Sequence, residues 1–149
     1  MSNNILITGI GGPTPRSIAK TIRKLNQRFR IIGIDSNPKA LGFFIPGLVD
    51  NYFVSPRVDN QDYWPFILDL IKNESIDLAF VQPEVEVIGW GQYQMFHNSL
   101  PCPVLIPPFN SASCLIDKSI MADLLMGTNF IPKTIKVTQS DPKFSDIEC

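Results

Sequence analysis

The fold is decided near the start of the chain by residues 5–16, which read ILITGIGGPTPR. The first four are apolar or β-branched without alternation, a pattern typical of a strand buried on both faces of a parallel sheet. The glycines that follow predict a tight turn, and a helix is predicted over residues 15–26. The apolar positions of that helix share one face, as a helix packed on a sheet requires: Ile18, Ala19, Ile22 and Leu25.

Predicted strands and helices continue to alternate along the chain as far as Pro108. Further strands are predicted over residues 30–35, 51–54, 77–81 and 103–106, and those over 30–35 and 77–81 are of the buried type. Helices are predicted over 62–72 and 85–96, with one helical turn between residues 39 and 50. This order predicts an α/β fold with a Rossmann-like, doubly wound and mainly parallel sheet. Beyond Pro108 the pattern predicts helices over 110–115 and 117–126 and a strand over 134–137.

Composition narrows the class of protein. The chain has 149 residues, with 13 Lys and Arg against 14 Asp and Glu. Its formal net charge is therefore −1, which does not favour binding to nucleic acid or to an anionic membrane. No apolar run approaches the roughly 20 residues that span a bilayer. One histidine and three cysteines lie at no spacing typical of a metal site. We therefore expect a cytoplasmic protein with reduced cysteines, no metal ligands, no nucleic-acid partner and no membrane partner.

The glycine loop is the first candidate site. Glycines after a first parallel strand let backbone N–H groups approach an anion at a helix N-terminus. Gly9 and Gly11 fit the dinucleotide pattern GxGxxG, but Thr14 stands where the third glycine belongs. The variant pattern TGxxGxxG fits Gly9 and Gly12 and then meets Pro15. The loop therefore either contacts a ligand other than a tightly held dinucleotide or only makes a sharp turn.

Polar residues after the other strands are further candidates. Asp35 ends the second strand, where it either binds ribose hydroxyls or caps the following turn. Gln82, Glu84 and Glu86 follow the fourth strand and either line the same crevice or, for Glu84, favour the start of a helix. Arg16 lies in the first helical turn beside the glycine loop. A cation opposes the helix dipole there, so an anionic partner would explain it.

Four stretches together resemble a known family. They are residues 5–16, 33–38 (GIDSNP), 75–87 (SIDLAFVQPEVEV) and 117–132 (DKSIMADLLMGTNFIP). In this order they resemble the beginning of ATP-grasp ligases, and most closely the carbamoyl phosphate synthase-like group. The resemblance implies a Rossmann-like pre-ATP-grasp domain over residues 1–109, the start of an ATP-grasp domain over 110–137, and a loose tail over 138–149.

The resemblance also implies roles for individual residues. By this match Lys118 contacts nucleotide phosphate, and the substrate side is lined or supported by Gly9, Gly11, Gly12, Thr14, Arg16, Asp35, Gln82 and Glu84. ATP and Mg²⁺ would belong to a full-length enzyme whose C-terminal ATP-grasp domain is missing here. We accordingly expect no catalytic residue, no ligase turnover and no tight ATP binding from these 149 residues.

The function that follows is the N-terminal, substrate-side domain of an ATP-dependent carboxylate–amine ligase. Its partners would be a small-molecule substrate and the missing ATP-grasp domain. Two alternatives from other classes stay open. One is a small Rossmann module that binds a nucleotide or NAD(P). The other is a non-catalytic interaction domain that forms a homodimer.

Overall fold

A computed structural model describes residues 3–25 and 28–134 and divides the chain into two compact units, Met1–Ala112 and Ser113–Cys149. The strands are β1 (Asn4–Thr8), β2 (Arg30–Asp35), β3 (Asn51–Val54), β4 (Leu78–Phe80) and β5 (Val104–Leu105). The α-helices are α1 (Pro13–Leu25), α2 (Tyr63–Asn73), α3 (Glu84–His97), α4 (Phe109–Ile116) and α5 (Lys118–Leu125). The helical turn expected between residues 39 and 50 is a 3₁₀ helix, Leu41–Phe44.

The first unit is built on one parallel sheet. Its five strands lie in the order β3-β2-β1-β4-β5, and every neighbouring pair is parallel. In the centre, Leu6 of β1 lies between Ile32 of β2 and Ala79 of β4. This is the strand order of a Rossmann-like fold, so the predicted fold class is confirmed.

The sheet is covered on both faces. Leu6 and Ile32 pack with Tyr63, Ile67 and Trp90 of α2 and α3 in one buried cluster. The neighbouring β1 residues point the other way, and that second cluster contains Ile5, Ile7, Ile10, Ala19 and Ile22. Successive side chains of a strand point to opposite faces, so burial on both sides explains why the β1 run is apolar without alternation.

A proline and two glycines shape helices α1 and α3 in ways that the sequence pattern did not fully predict. Helix α1 begins at Pro13, two residues before the predicted start, because a proline in the first turn loses no helical hydrogen bond. Helix α3 continues through both its glycines. A β-carbon on Gly89 would meet Val58 Cγ2 at 2.4 Å, and one on Gly91 would meet Phe109 Cδ2 at 3.0 Å. These glycines weaken the helix but allow neighbouring segments to pack closely on it.

The second unit is described through residue 134. Its helix α5 is capped by Asp117, whose Oδ1 accepts the backbone N–H groups of Ser119 at 2.8 Å and Ile120 at 3.1 Å. The predicted strand over 134–137, beyond Thr134 itself, and the predicted tail over 138–149 lie outside the described residues. No helix among the described residues is long and apolar enough to cross a membrane.

Candidate functional site

The first unit carries a cleft of about 550 Å³ at the carboxyl edge of its sheet. Four segments line it: the glycine loop with the first turn of α1, Asp35 and Ser36, residues 57–59 before α2, and the start of α3 with Gln82, Pro83, Val85 and Glu86. The cleft lies beyond β1 and β4, where the strand order reverses direction. Open α/β sheets bind their ligands at this topological switch point.

The glycine loop leaves β1 by a turn that only glycine accommodates. Gly9 has a φ of +63°, and a β-carbon there would meet Pro83 Cγ at 2.5 Å. The turn is closed by the N–H of Gly12, which donates to the carbonyl oxygen of Gly9 at 2.9 Å. The N–H of Ile10 donates to the carbonyl of Ile34 at 3.0 Å. The loop therefore uses several of its own amides to hold its shape.

Asp35 ties the glycine loop to the end of β2. Its Oδ2 accepts the N–H of Gly11 at 2.9 Å, and its Oδ1 accepts the N–H of Asn37 at 2.9 Å. A β-carbon on Gly11 would meet Asp35 Oδ2 at 2.9 Å, so glycine is needed for this contact. Asp35 thus caps the local turns, as one interpretation of the sequence predicted. It also lines the cleft, and a carboxylate with two accepted bonds still has lone pairs free for a ligand.

The N-terminus of α1 offers few donors to an anion. Pro13 and Pro15 have no N–H group, and the N–H of Gly12 is already bonded to Gly9. Among the described residues, the N–H of Thr14 alone in this first turn lacks an acceptor. A helix N-terminus ordinarily presents up to four such groups, so this one provides a much poorer phosphate cradle than a typical Rossmann loop.

A buried carboxylate lies at the floor of the cleft. Glu86 is only 8% exposed, and its Oε2 accepts the hydroxyl of Tyr63 at 3.1 Å. That hydroxyl in turn accepts the indole N–H of Trp90 at 2.9 Å. On the other side, the hydroxyl of Thr8 accepts the backbone N–H of Gln82 at 3.2 Å and interacts with Glu86, whose pKa it lowers. The floor is therefore a connected polar network inside an apolar core.

Burial dominates the electrostatics of this network. Loss of solvent raises the pKa of Glu86, the bonds from Thr8 and Tyr63 lower it, and the charge of Asp35 raises it. Burial, and secondarily the charge of Glu86, raises the pKa of Tyr63 well above its ordinary value. Tyr63 therefore remains protonated and serves Glu86 as a hydrogen-bond donor.

The structure brings together some of the predicted site residues. The cleft lining includes Gly9, Gly12, Thr14, Asp35 and Gln82. Three others lie outside the lining: Gly11 is bonded to Asp35, the Nε of Arg16 folds back onto the carbonyl of Gly12 at 2.9 Å, and Glu84 is the first residue of α3. Lys118 begins α5 in the second unit, where its Nζ donates to the carbonyl oxygen of Leu115 at 3.3 Å.

Two features of the cleft were not predicted from the sequence. Tyr63 joins Glu86 in the floor network, and Arg57 with Asp59 lines the cleft from the loop before α2. Glu86 itself was among the polar residues after the fourth strand that were expected to line the crevice, and it lies four residues before Trp90 and thus on the same helical face. The loop over residues 57–59 has no comparable pattern, because only the tertiary fold brings it to the cleft.

The described residues were compared with the side-chain groups that metal binding and thiol chemistry require. They contain no group of three His, Cys, Asp or Glu side chains that could hold a metal ion. Cys102 is buried, and burial raises the pKa of its thiol to about 11. It is therefore a neutral thiol near neutral pH and a weak nucleophile.

Comparison with known proteins supports the fold alone. No protein-family model matches the sequence, and no curated protein matches it. Among solved structures, the chain is similar to a dTDP-glucose 4,6-dehydratase from Bacillus anthracis in complex with NAD, with a TM-score of 0.50 and 14% sequence identity. The similar region covers 64% of this chain and 34% of the dehydratase chain, so this chain spans about a third of that protein. Together with the strand order, this similarity establishes a Rossmann-like α/β fold for the chain.

Proposed function

We propose that the first unit is the substrate-side domain of an ATP-dependent carboxylate–amine ligase of the carbamoyl phosphate synthase-like type. Its cleft would bind a small substrate and not a dinucleotide. The observation that carries this proposal is the N-terminus of α1, where two prolines and a closed glycine turn leave the N–H of Thr14 as the available donor.

A dinucleotide would be poorly held in this cleft. A pyrophosphate at a Rossmann loop is bound by several backbone N–H groups and by the helix dipole. Here the amide of Gly11 is occupied by Asp35. The side chains also oppose an anion, since Asp35, Asp59 and Glu86 line the cleft against one guanidinium, that of Arg57. Both the donors and the charges therefore favour a small, non-dinucleotide ligand.

The ligase assignment rests on the sequence resemblance. In such an enzyme a substrate carboxylate attacks the terminal phosphorus of ATP, which releases ADP and forms an acyl phosphate. An amine then attacks the acyl carbon and phosphate leaves. The part proposed for this chain is to bind and orient a substrate beside the glycine loop. Lys118 is proposed as a nucleotide contact, and ATP and Mg²⁺ would be held by a full-length enzyme.

One observation favours the alternative of an NAD(P)-binding module. Asp35 ends β2 and lines the cleft, and in dinucleotide folds an acid at this position binds the ribose hydroxyls. Any NAD(P) bound here would have to place its pyrophosphate against the single free amide of Thr14. The two candidates therefore predict opposite results when a dinucleotide is added.

Titration of the ¹⁵N-labelled chain tests the proposal. We expect NAD⁺ at 1–2 millimolar (roughly a thousandfold above a tight, micromolar Kd) to leave the amide resonances of Gly9, Thr14 and Gln82 unchanged. Saturable shifts of these resonances with a micromolar Kd would refute the proposal in favour of the NAD(P) module. Mg-ATP binding to this same cleft with micromolar Kd would contradict its assignment to the substrate side.

A matched variant tests the argument about the prolines. The double substitution of Pro13→Ala and Pro15→Ala restores two N–H groups at the start of α1 without adding charge. We expect inorganic pyrophosphate to bind this variant at least about tenfold more tightly than the wild type, since each charge-assisted hydrogen bond contributes about 1.5 kcal/mol or more. The control is Pro103→Ala, which lies before β5 and outside the cleft lining. Equal pyrophosphate affinity in all three proteins would show that donor number does not limit anion binding here.

A further inference from the structure

We propose that the cleft selects a ligand that carries a protonated amine, and that the Glu86 carboxylate at its floor binds this amine. The inference deepens the proposed function, because it names the substrate class that the cleft would present to an activated carboxylate. Only the role of the amine as a ligase substrate rests on the proposed function. The binding chemistry itself follows from the hydrogen bonds and charges of the cleft.

The direction of each hydrogen bond shows that Glu86 is surrounded by donors. The indole N–H of Trp90 can only donate, so the oxygen of Tyr63 accepts it and the single hydroxyl proton of Tyr63 points to Glu86. The backbone N–H of Gln82 likewise donates to the hydroxyl oxygen of Thr8. The Thr8 proton is thereby left free to face Glu86, and this hydroxyl lowers the pKa of the Glu86 carboxyl group. This arrangement suits an ionised carboxylate that accepts bonds.

Among the described residues, none that lines the cleft places a positive charge beside that carboxylate. Of the cleft-lining residues, Arg57 is the basic one, and its side chain is 73% exposed with its Nε 3.3 Å from Asp59. The other charged neighbour, Asp35, has the same sign as Glu86 and acts against its ionisation. A buried carboxylate without a cation is unfavourable unless a partner compensates it. A ligand ammonium group would supply both the missing charge and further N–H donors.

Location makes Glu86 accessible to such a ligand. It lies in the first turn of α3 and lines the cleft together with Gln82 and Pro83. Its hydrogen-bonded partners Tyr63 and Trp90 are fully buried behind it, so Glu86 is the member of this network that borders the cleft. A ligand bound to Glu86 would therefore change the environment of Tyr63 and Trp90 without touching them.

The test uses three probes with the same four-carbon chain length and different charge: n-butylamine, 1-butanol and butyrate. Binding is followed at pH 7.5 by the indole N–H resonance of Trp90, with that of Trp64 as an internal comparison. We expect n-butylamine to bind the wild type at least about tenfold more tightly than either other probe, as one charge-assisted hydrogen bond would give. Equal affinity for butanol, or a preference for butyrate, would overturn the inference. This comparison needs no variant and so does not depend on a mutant's folding.

A variant then locates the site. Glu86→Gln retains the size of the side chain and removes its charge, and we expect it to lose the tenfold preference for n-butylamine. The matched control Asp69→Asn removes the same charge from an exposed position of α2 outside the cleft lining, and it should keep the preference. Circular dichroism confirms that both variants are folded. If Glu86→Gln binds the amine as tightly as the wild type does, the assignment to Glu86 is wrong.

The outcomes separate this inference from the proposed function. Tight NAD⁺ binding at the glycine loop would contradict the proposed function. A preference for n-butylamine that depends on Glu86 would still support the amine inference in that case. Indifference to probe charge together with no NAD⁺ binding would overturn the amine inference alone.

Discussion

The burial of Glu86 makes the stability of the first unit dependent on pH in a way that one substitution should remove. Glu86 is 8% exposed, and burial raises its pKa above the ordinary value of 4.5. In the window between 4.5 and that raised value, the folded chain holds a proton on Glu86 that the unfolded chain has released. The free energy of unfolding of the wild type therefore decreases as the pH rises through this window.

The magnitude follows from proton linkage. Inside the window, each pH unit lowers the unfolding free energy of the wild type by up to about 1.4 kcal/mol. The Glu86→Gln variant has no carboxyl group at this position and does not show this decrease. The stability of the variant relative to the wild type should thus be constant below pH 4.5, rise through the window, and level off above the folded-state pKa of Glu86. Two bonds to the carboxylate, from Thr8 and Tyr63, limit the width of the window because they lower this pKa.

Urea unfolding at a series of pH values measures this difference. Both tryptophans, Trp64 and Trp90, lie in the first unit, so their fluorescence reports its unfolding. Asp69→Asn is the control, since it removes one carboxylate charge from an exposed position of α2. A difference between wild type and Glu86→Gln that stays flat from about pH 4, near the ordinary carboxyl pKa, to about pH 9 would refute the argument from burial.

Three further substitutions test other contacts by unfolding or exchange measurements. Gly9→Ala should destabilise the first unit by about 2–4 kcal/mol in urea unfolding, because its φ is +63° and its new methyl group would meet Pro83. Tyr63→Phe should cost about 1–3 kcal/mol in the same assay, because the buried N–H of Trp90 loses its acceptor; a cost near zero would mean that another acceptor replaces it. Asp117→Ala should cost α5 about 1 kcal/mol, measured as several-fold faster hydrogen exchange of the two amides that it caps, and unchanged exchange would contradict the cap.

The layered sheet could be predicted from the sequence because burial on both faces has a simple signature. Runs such as residues 30–35 are apolar between their end residues, Arg30 and Asp35, and the observed β2 has those bounds. Ends set by prolines were harder to place. Strand β5 is only Val104–Leu105, shorter than the predicted 103–106, since the prolines at 103 and 107 flank it and cannot donate ladder hydrogen bonds.

The site was less predictable because its residues come from distant segments. The carboxyl ends of parallel strands meet at one edge, which is why Gly9, Asp35 and Gln82 could be expected together. The orientation of α3 decided the rest. The helix begins at Glu84, and its face toward the core carries Glu86 and Trp90. Sequence periodicity indicates which residues share a helical face. It does not show whether an acid on that face is buried or exposed to solvent, and for Glu86 the contact with Tyr63 decides this.

The glycine loop shows how two candidate ligand contacts can satisfy each other. The N–H of Gly11 and the carboxylate of Asp35 were each predicted to face a substrate, yet they are bonded to one another at 2.9 Å. With Pro13 and Pro15 lacking N–H groups, the loop side of the cleft has one free amide, that of Thr14. Discrimination between ligands must then come mainly from side chains on the opposite wall. On that wall the group with a buried charge and no cation beside it is Glu86. The arrangement that makes this loop a poor phosphate cradle is therefore the reason to look for specificity at the start of α3.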